Sequence, residues 1–315
     1  MLTGKLKSKE EKNMIDLHMH SIYSDDGEIV PEKLVEMCKK QKIEMMSVTD
    51  HNCAKANASA KKAAEEAGIL YIPGIEIDCV YQGLNFHVLG YGIDFEQEDF
   101  KNIEENVRKQ GLETSRIRLE KTRELGFQIE EAELWEVTKN NTWQGMWMGE
   151  VFAEVLLART EYKNHPILQP YRPGGSRSDN PMVNFYWDYY SQGKTCYAEI
   201  KFPPMQSVID IIHKNHGIAV LAHPGVNLKG HEELFEAIVD MGLDGVECFS
   251  SYHTTDISDY YYQKTIEKGL LYTCGSDFHG KNKPAVVLGG AVYGKGMDVE
   301  LYSKKICEKI SCYVM

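Results

Sequence analysis

Two short strings near opposite ends of the chain carry side chains that can do chemistry: Asp16-Leu17-His18-Met19-His20-Ser21 and Gly275-Ser276-Asp277-Phe278-His279. Each sets metal-ligating side chains two residues apart. In extended backbone, alternate residues point the same way. His18 and His20 can therefore reach one ion, or two adjacent ions, from a single strand end, and Asp277 and His279 can do the same. Of eleven histidines, six (His18, His20, His51, His87, His223 and His279) fall at expected strand ends beside carboxylates or small residues. Together with Asp25, Asp50, Glu76 and Asp277 they would be costly to bury unpaired, whereas divalent cations satisfy them together. The pattern predicts one metal cluster assembled from remote segments.

The elements that must position these groups follow a β-α-β-α-β rhythm. Strands are expected at Met14–Leu17, Met45–Thr49, Ile69–Ile72, Ile75–Val80 and Phe86–Tyr91, with helices at Pro31–Cys38 and Ala54–Ala67. Pro31 suits a first helical turn, and Gly68 suits a helix end. The rhythm resumes at 205–274 with helices at Met205–Asn215, Leu234–Met241 and Tyr260–Lys268, and strands at Ile218–Ala222, Gly245–Phe249 and Leu270–Cys274. Such alternation argues for a mainly parallel α/β sheet or barrel, whose active site lies at the carboxyl ends of strands. The stretch 101–199 differs. Phe100–Leu125 reads as one or two amphipathic helices, Ala132–Thr138 and Gly149–Ala158 as further helices, and Asn164–Ser191 as a loop rich in Pro, Gly, Ser, Asn and aromatics. The domain reading is therefore a discontinuous α/β unit at 14–100 and 200–300, an inserted mostly helical subdomain at 101–199, and terminal extensions at 1–13 and 301–315.

Composition narrows the class. The chain has 315 residues, 43% hydrophobic and 26% charged, enough for a large core. No run approaches the ~18–20 apolar residues of a membrane span, and the start of the chain lacks an apolar signal-peptide region. Eight scattered cysteines without a C-x-x-C pair read as buried thiols in a reducing compartment, so a cytoplasmic location is expected. A net charge of −12 disfavours binding of long nucleic acid.

The motifs resemble those of the polymerase and histidinol phosphatase (PHP) superfamily. The matching strings are Asp16-Leu17-His18-Met19-His20-Ser21-Ile22-Tyr23-Ser24-Asp25, Thr49-Asp50-His51, Pro73-Gly74-Ile75-Glu76, Phe86-His87-Val88-Leu89-Gly90-Tyr91, Leu221-Ala222-His223-Pro224-Gly225 and Gly275-Ser276-Asp277-Phe278-His279, in the family's order. The resemblance implies a distorted (β/α)7 barrel holding two to three divalent ions. Carried over by position, it implies that His18, His20, Glu76 and Asp277 hold one ion. Glu76 would bridge to a second, completed by His87 and His223, and Asp25, His51 and His279 would hold a third. Mixed imidazole–carboxylate sites suit Mn, Fe or Zn. Asp50 would orient His51 or another ligand.

The expected reaction is hydrolysis of a phosphate ester in a small phosphorylated metabolite, with a metal-bridged hydroxide as nucleophile. No G-x-S-x-G string or P-loop suggests another route. His253, after the strand Gly245–Phe249, is a candidate phosphate ligand or general acid, or else a loop histidine packed on Tyr252. Lys281 and Lys283 follow His279 and either clamp a phosphate or face solvent. Arg177, among the aromatics of the long loop, either contacts substrate or covers the insertion's own core. The chain most resembles the branch with nucleoside 3′,5′-bisphosphate phosphatases and RNA-trimming exonucleases. It departs from that branch by carrying Met148 near the place of a phosphate-binding Arg, and by the extra stretch Tyr162–Ser191. The alternatives are a 5′→3′ exonuclease on short RNA, metal-dependent C–N hydrolysis, and a metal-binding interaction module without turnover; the last should lack some ligands.

Overall fold

A computed structural model describes residues 14–140, 142–290 and 299–311; the extension 1–13 lies outside them. The order of elements is β1 (Met14–Asp16), α1 (Pro31–Lys40), β2 (Ile43–Met46), α2 (Ala56–Ala67), β3 (Leu70–Tyr71), β4 (Gly74–Tyr81), β5 (Leu84–Tyr91), α3 (Glu98–Glu124), α4 (Glu131–Thr138), α5 (Gly149–Ala158), α6 (Pro181–Tyr189), α7 (Met205–Lys214), β6 (Ile218–Leu221), α8 (Pro224–Asn227), α9 (Phe235–Val239), β7 (Gly245–Ser250), α10 (Thr255–Glu267), β8 (Leu271–Gly275) and α11 (Val299–Ser311). No described helix is long and apolar enough to cross a membrane.

The strands form two sheets rather than one continuous barrel ladder: β1-β2-β3, all parallel, and β4-β5-β6-β7-β8. Within the second sheet β5 runs antiparallel to both β4 and β6, because the two-residue link Gln82-Gly83 leaves room only for a hairpin. The sheets meet through isolated parallel bridges, Met19 to Phe278 and His51 to Glu76. At the first junction the N–H of Leu17 donates to the carbonyl of Cys274 at 3.0 Å, and that of Asp277 to the carbonyl of His18 at 2.8 Å. Gly275 permits this approach, since a Cβ there would lie 2.1 Å from the Cβ of His18.

The main core lies beneath both sheets and takes in β4–β8 and the inner faces of α7 and α10. Residues 119–196 build a second core of their own around Phe127, Phe152, Leu168, Phe185 and Tyr190. For that region one open expectation is resolved and another changes. Phe100–Leu125 is one helix, α3, spanning 27 residues. It is unbroken because its buried residues, from Phe100 through Val107, Ser115 and Leu119 to Thr122, recur at helical spacing. Gly111 does not break it; it admits Met146, whose sulfur would lie 2.3 Å from an added Cβ. The expected loop at 164–191 contains a 3-10 turn, Pro166–Tyr171, and the helix α6. Two of its prolines start helices instead of breaking them: Pro166 opens the 3-10 turn and Pro181 sits in the first turn of α6. The expected C-terminal extension also changes character. Helix α11 places Ile306 in the main core, with Cys307 and Ile310 packed against it.

Candidate metal centre

β1 ends by sending alternate side chains to opposite sides. Leu17 and Met19 enter apolar cores, while His18 and His20 face the junction with β8. On the β4–β5 hairpin, Glu76 and Asp78 share one face, and His87 lies opposite Asp78 in register. His87 therefore projects from mid-strand, not from a strand end as the sequence suggested. His223 and Asp277 have φ of 22° and 56°, backbone that non-glycine residues seldom adopt, and both turn their side chains into the same space.

Glu76 is fully buried at the middle. Its Oε2 lies 3.0 Å from His18 Nε2, 3.2 Å from His20 Nε2 and 3.4 Å from His51 Nδ1, and its Oε1 lies 2.9 Å from His87 Nδ1 and 3.1 Å from His223 Nε2. Burial alone would raise its pKa; the imidazoles of His18, His51 and His87 outweigh this and hold it well below the usual carboxylate range. Four overlapping sets have ligand atoms mutually within 4.8 Å: His18, His20, Glu76 and Asp277; Glu76, His87 and His223; His20, Asp26, His51 and His279; and His51, Asp78 and His87. The first two coincide with sets implied by the sequence resemblance.

The third set differs. Asp26, not Asp25, completes it, with Oδ2 3.0 Å from His279 Nε2. Asp25 belongs to none of the four sets. It faces the same cleft, but among Asp26, Asp78 and Glu150; burial first, then these carboxylates, push its pKa well above normal, while Arg118 opposes. Accordingly, Asp26→Asn is expected to lower bound metal more than Asp25→Asn does, as read by metal analysis of the two purified variants. Equal retention by both would refute the assignment of Asp26.

Several observations show that divalent ions fit here. His18 Nδ1 lies 2.9 Å from the carboxylate Oε1 of Glu247, so Nδ1 carries the proton and Nε2 offers a lone pair to the centre. That lone pair faces His20 Nε2 at 3.1 Å and two carboxylates. Without a cation, only proton uptake relieves the repulsion. Burial opposes a charge on His18, yet Glu247, Glu76 and Asp277 push its pKa well above normal. Four buried atoms, Asp26 Oδ1, His51 Nδ1, Asp277 Oδ1 and His279 Nε2, have no hydrogen-bond partner. A mixed nitrogen and oxygen donor set without thiolate suits divalent ions.

Glu247 was not anticipated. Besides His18, it accepts from the backbone N–H of His223 at 2.9 Å, and so holds groups from two sets. An inward carboxylate within the otherwise apolar strand β7 is the signal that could have found it. Asp78 likewise stands two residues from Glu76, as His20 does from His18. Its Oδ1 lies 3.0 Å from His87 Nε2, and Asn52 donates to its other oxygen.

The remaining candidates divide. Asp50 accepts from the N–H and hydroxyl of Ser21 at 2.5 and 2.7 Å, so it braces the turn after His20 and not His51. Burial, only partly offset by His20 and Ser21, pushes its pKa to about 6. Lys283 lines the cleft, with Nζ 2.7 Å from Asp277 Oδ2. Lys281 is exposed and paired with Glu154. Arg177 forms a two-pronged pair with Asp188, both contacts at 3.0 Å, within the 119–196 region and away from the cleft lining. His253 is committed to backbone: Nδ1–H donates to the carbonyl of Cys248 at 2.9 Å, and Nε2 accepts from the N–H of Gly225 at 3.0 Å. It steadies the turn after His223 and does not line the cleft, which removes the geometric basis for a general acid at this position.

With this geometry in place, comparison with known proteins is direct. The PHP domain profile matches residues 16–173, half of the chain, and the chain belongs to that family. It is 26% identical over 308 residues to a 3′,5′-nucleoside bisphosphate phosphatase of Chromobacterium violaceum, covering 96% of this chain and 98% of that one. It is 26% identical over 268 residues to a 5′-3′ exoribonuclease of Haemophilus influenzae, covering 84% and 89%. Its fold is similar to a structure described as a metal-dependent phosphoesterase from Bifidobacterium adolescentis, with TM-score 0.74, 24% identity and 96% coverage of each chain.

Proposed function

We propose that this protein hydrolyses a phosphate ester in a small phosphorylated metabolite, using two to three divalent ions held by His18, His20, Asp26, His51, Glu76, His87, His223, Asp277 and His279. The observation that carries the reading is Glu76, whose two buried oxygens each face a different imidazole set. Bound ions of this kind polarise phosphoryl oxygens and lower the pKa of a water nucleophile. The chain's own groups do the rest. Glu247 fixes the tautomer of His18 and the backbone of His223, Asp50 fixes the turn after His20, and Lys283 sets a cation beside Asp277 at the mouth of the centre. No described side chain is placed as a nucleophile. We read the two sheets as arcs of a distorted barrel and residues 101–199 as an inserted subdomain forming one wall of the cleft. The seven cysteines among the described residues are free thiols, which supports a reducing compartment such as the cytoplasm.

Metal-replete protein is expected to release phosphate from some members of a panel of sugar phosphates, mononucleotides and bisphosphates. Chelation should abolish the release, and added Mn should restore it. Protein that degrades short RNA while releasing phosphate from none of the panel would instead establish the exonuclease reading.

A further inference from the structure

The cleft before the centre has walls of different chemistry. Lys283 is the only lysine or arginine lining the cleft among the described residues, and its Nζ already neighbours Asp277 and lies over the Tyr252 ring. The opposite wall comes from residues 107–192 and is mainly aliphatic and aromatic, with Val107, Met148, Val183, Tyr186 and Trp187 beside the uncharged polar Ser191 and Gln192. Its one ionisable member besides tyrosine is Glu150, in the first turn of α5, 5% exposed; no other side chain hydrogen-bonds to it among the described residues. Arg118 lies behind this wall: its Nη atoms donate to Thr114 Oγ1 at 3.2 Å and to the carbonyls of Trp147 and Ala198 at 3.4 Å, its buried Nε has no hydrogen-bond partner, and it does not line the cleft. Arg172 and Arg177 are spent on carbonyls and on Asp188.

We infer that the substrate carries a single phosphate: a phosphomonoester of a neutral alcohol with an apolar or aromatic body. The inference rests on the phosphate-ester reading above and narrows it. The one phosphate occupies the centre beside Lys283. The organic body lies against Tyr186, Trp187 and Met148, where ring faces and aliphatic chains gain from desolvation. A second phosphate on that body would enter the same wall as a dianion. It would lose its hydration and make no direct contact with a cation there, since Glu150 brings no positive charge in either protonation state and Arg118 stays behind the wall. The cleft thus discriminates against the doubly phosphorylated class for which the relative from Chromobacterium violaceum is named.

The test is phosphate release by the metal-loaded full chain from adenosine 5′-monophosphate, adenosine 3′-monophosphate and adenosine 3′,5′-bisphosphate, with sugar phosphates alongside. The better monophosphate is expected to exceed the bisphosphate in kcat/KM by about tenfold or more, in line with the cost of leaving a buried polar group unpaired. Met148 is half-buried on the uncharged wall and has the reach of arginine. Met148→Arg, or Gln192→Lys at an exposed lining position if the first lowers Tm, should raise the bisphosphate-to-monophosphate ratio about tenfold by supplying the missing cation. Equal or faster turnover of the bisphosphate by the unmodified protein overturns the inference, as does a ratio unmoved by either substitution. Release from sugar phosphates alone also overturns it, because the aromatic wall would then be unused. Release from nothing in the panel refutes the phosphate-ester reading itself, a result distinct from the others.

Discussion

Glu76→Gln is expected to lower phosphate release by about 10³-fold or more, since the charge stabilisation that bound metal supplies amounts to several kcal/mol. The substitution keeps the shape of the side chain and removes its charge. In the native chain the two oxygens contact five imidazoles, three on one oxygen and two on the other. A glutamine presents one oxygen and one NH2, so one of those sets would face a donor where it now faces an acceptor. Metal content measured on the purified variant should fall together with activity. A variant that kept both its metal and its rate would show that Glu76 is a buried structural carboxylate and nothing more.

Glu247→Gln is expected to weaken metal binding by about 10–100-fold, the usual cost of losing a partner that orients a ligand. Each oxygen of Glu247 now accepts one hydrogen bond, from His18 Nδ1–H and from the backbone N–H of His223. An amide has a single acceptor oxygen, so one of these donors must lose its partner. Glu247 does not line the cleft. The defect should therefore appear as a higher metal concentration for half-maximal activity, with KM for substrate little changed at saturating metal. A rise in KM alone, with the metal titration unmoved, would contradict the positioning role.

Much of the centre is legible in the sequence because it is written in local spacing. His18-x-His20 needs only extended backbone to aim together; Asp277-x-His279 reaches the same junction through a left-handed turn at Asp277 that spacing alone does not report. Where the reading slipped, the missing information was three-dimensional. Asp25 and Asp26 are neighbours in a turn, and only the fold decides which one faces His279. His253 occupies a promising rim position, yet both ring nitrogens are taken by the turns it supports. Asp50 adjoins His51 in sequence but reaches across to Ser21. The two-sheet topology was hidden for a similar reason: strand periodicity does not report direction, and β5 reverses because the link before it is short. In the insertion, the breakers of 164–191 concealed α6, which buries Phe185 in a core that residue-by-residue propensity does not show.

The gaps between the two sheets have a further consequence. Neither joint is a full ladder; one rests on the Met19–Phe278 bridge and the other on the His51–Glu76 bridge. The candidate ligands straddle these same joints, with His18 and His20 facing Asp277 across one, and His51 facing Glu76 across the other. An ion held there acts as a rivet between arcs of backbone that share few hydrogen bonds of their own. Ions that bind the folded chain and not the unfolded one add to its stability by mass action. The group that would supply the chemistry would then also fasten the architecture, so the metal available to the protein would bear on both its rate and its stability.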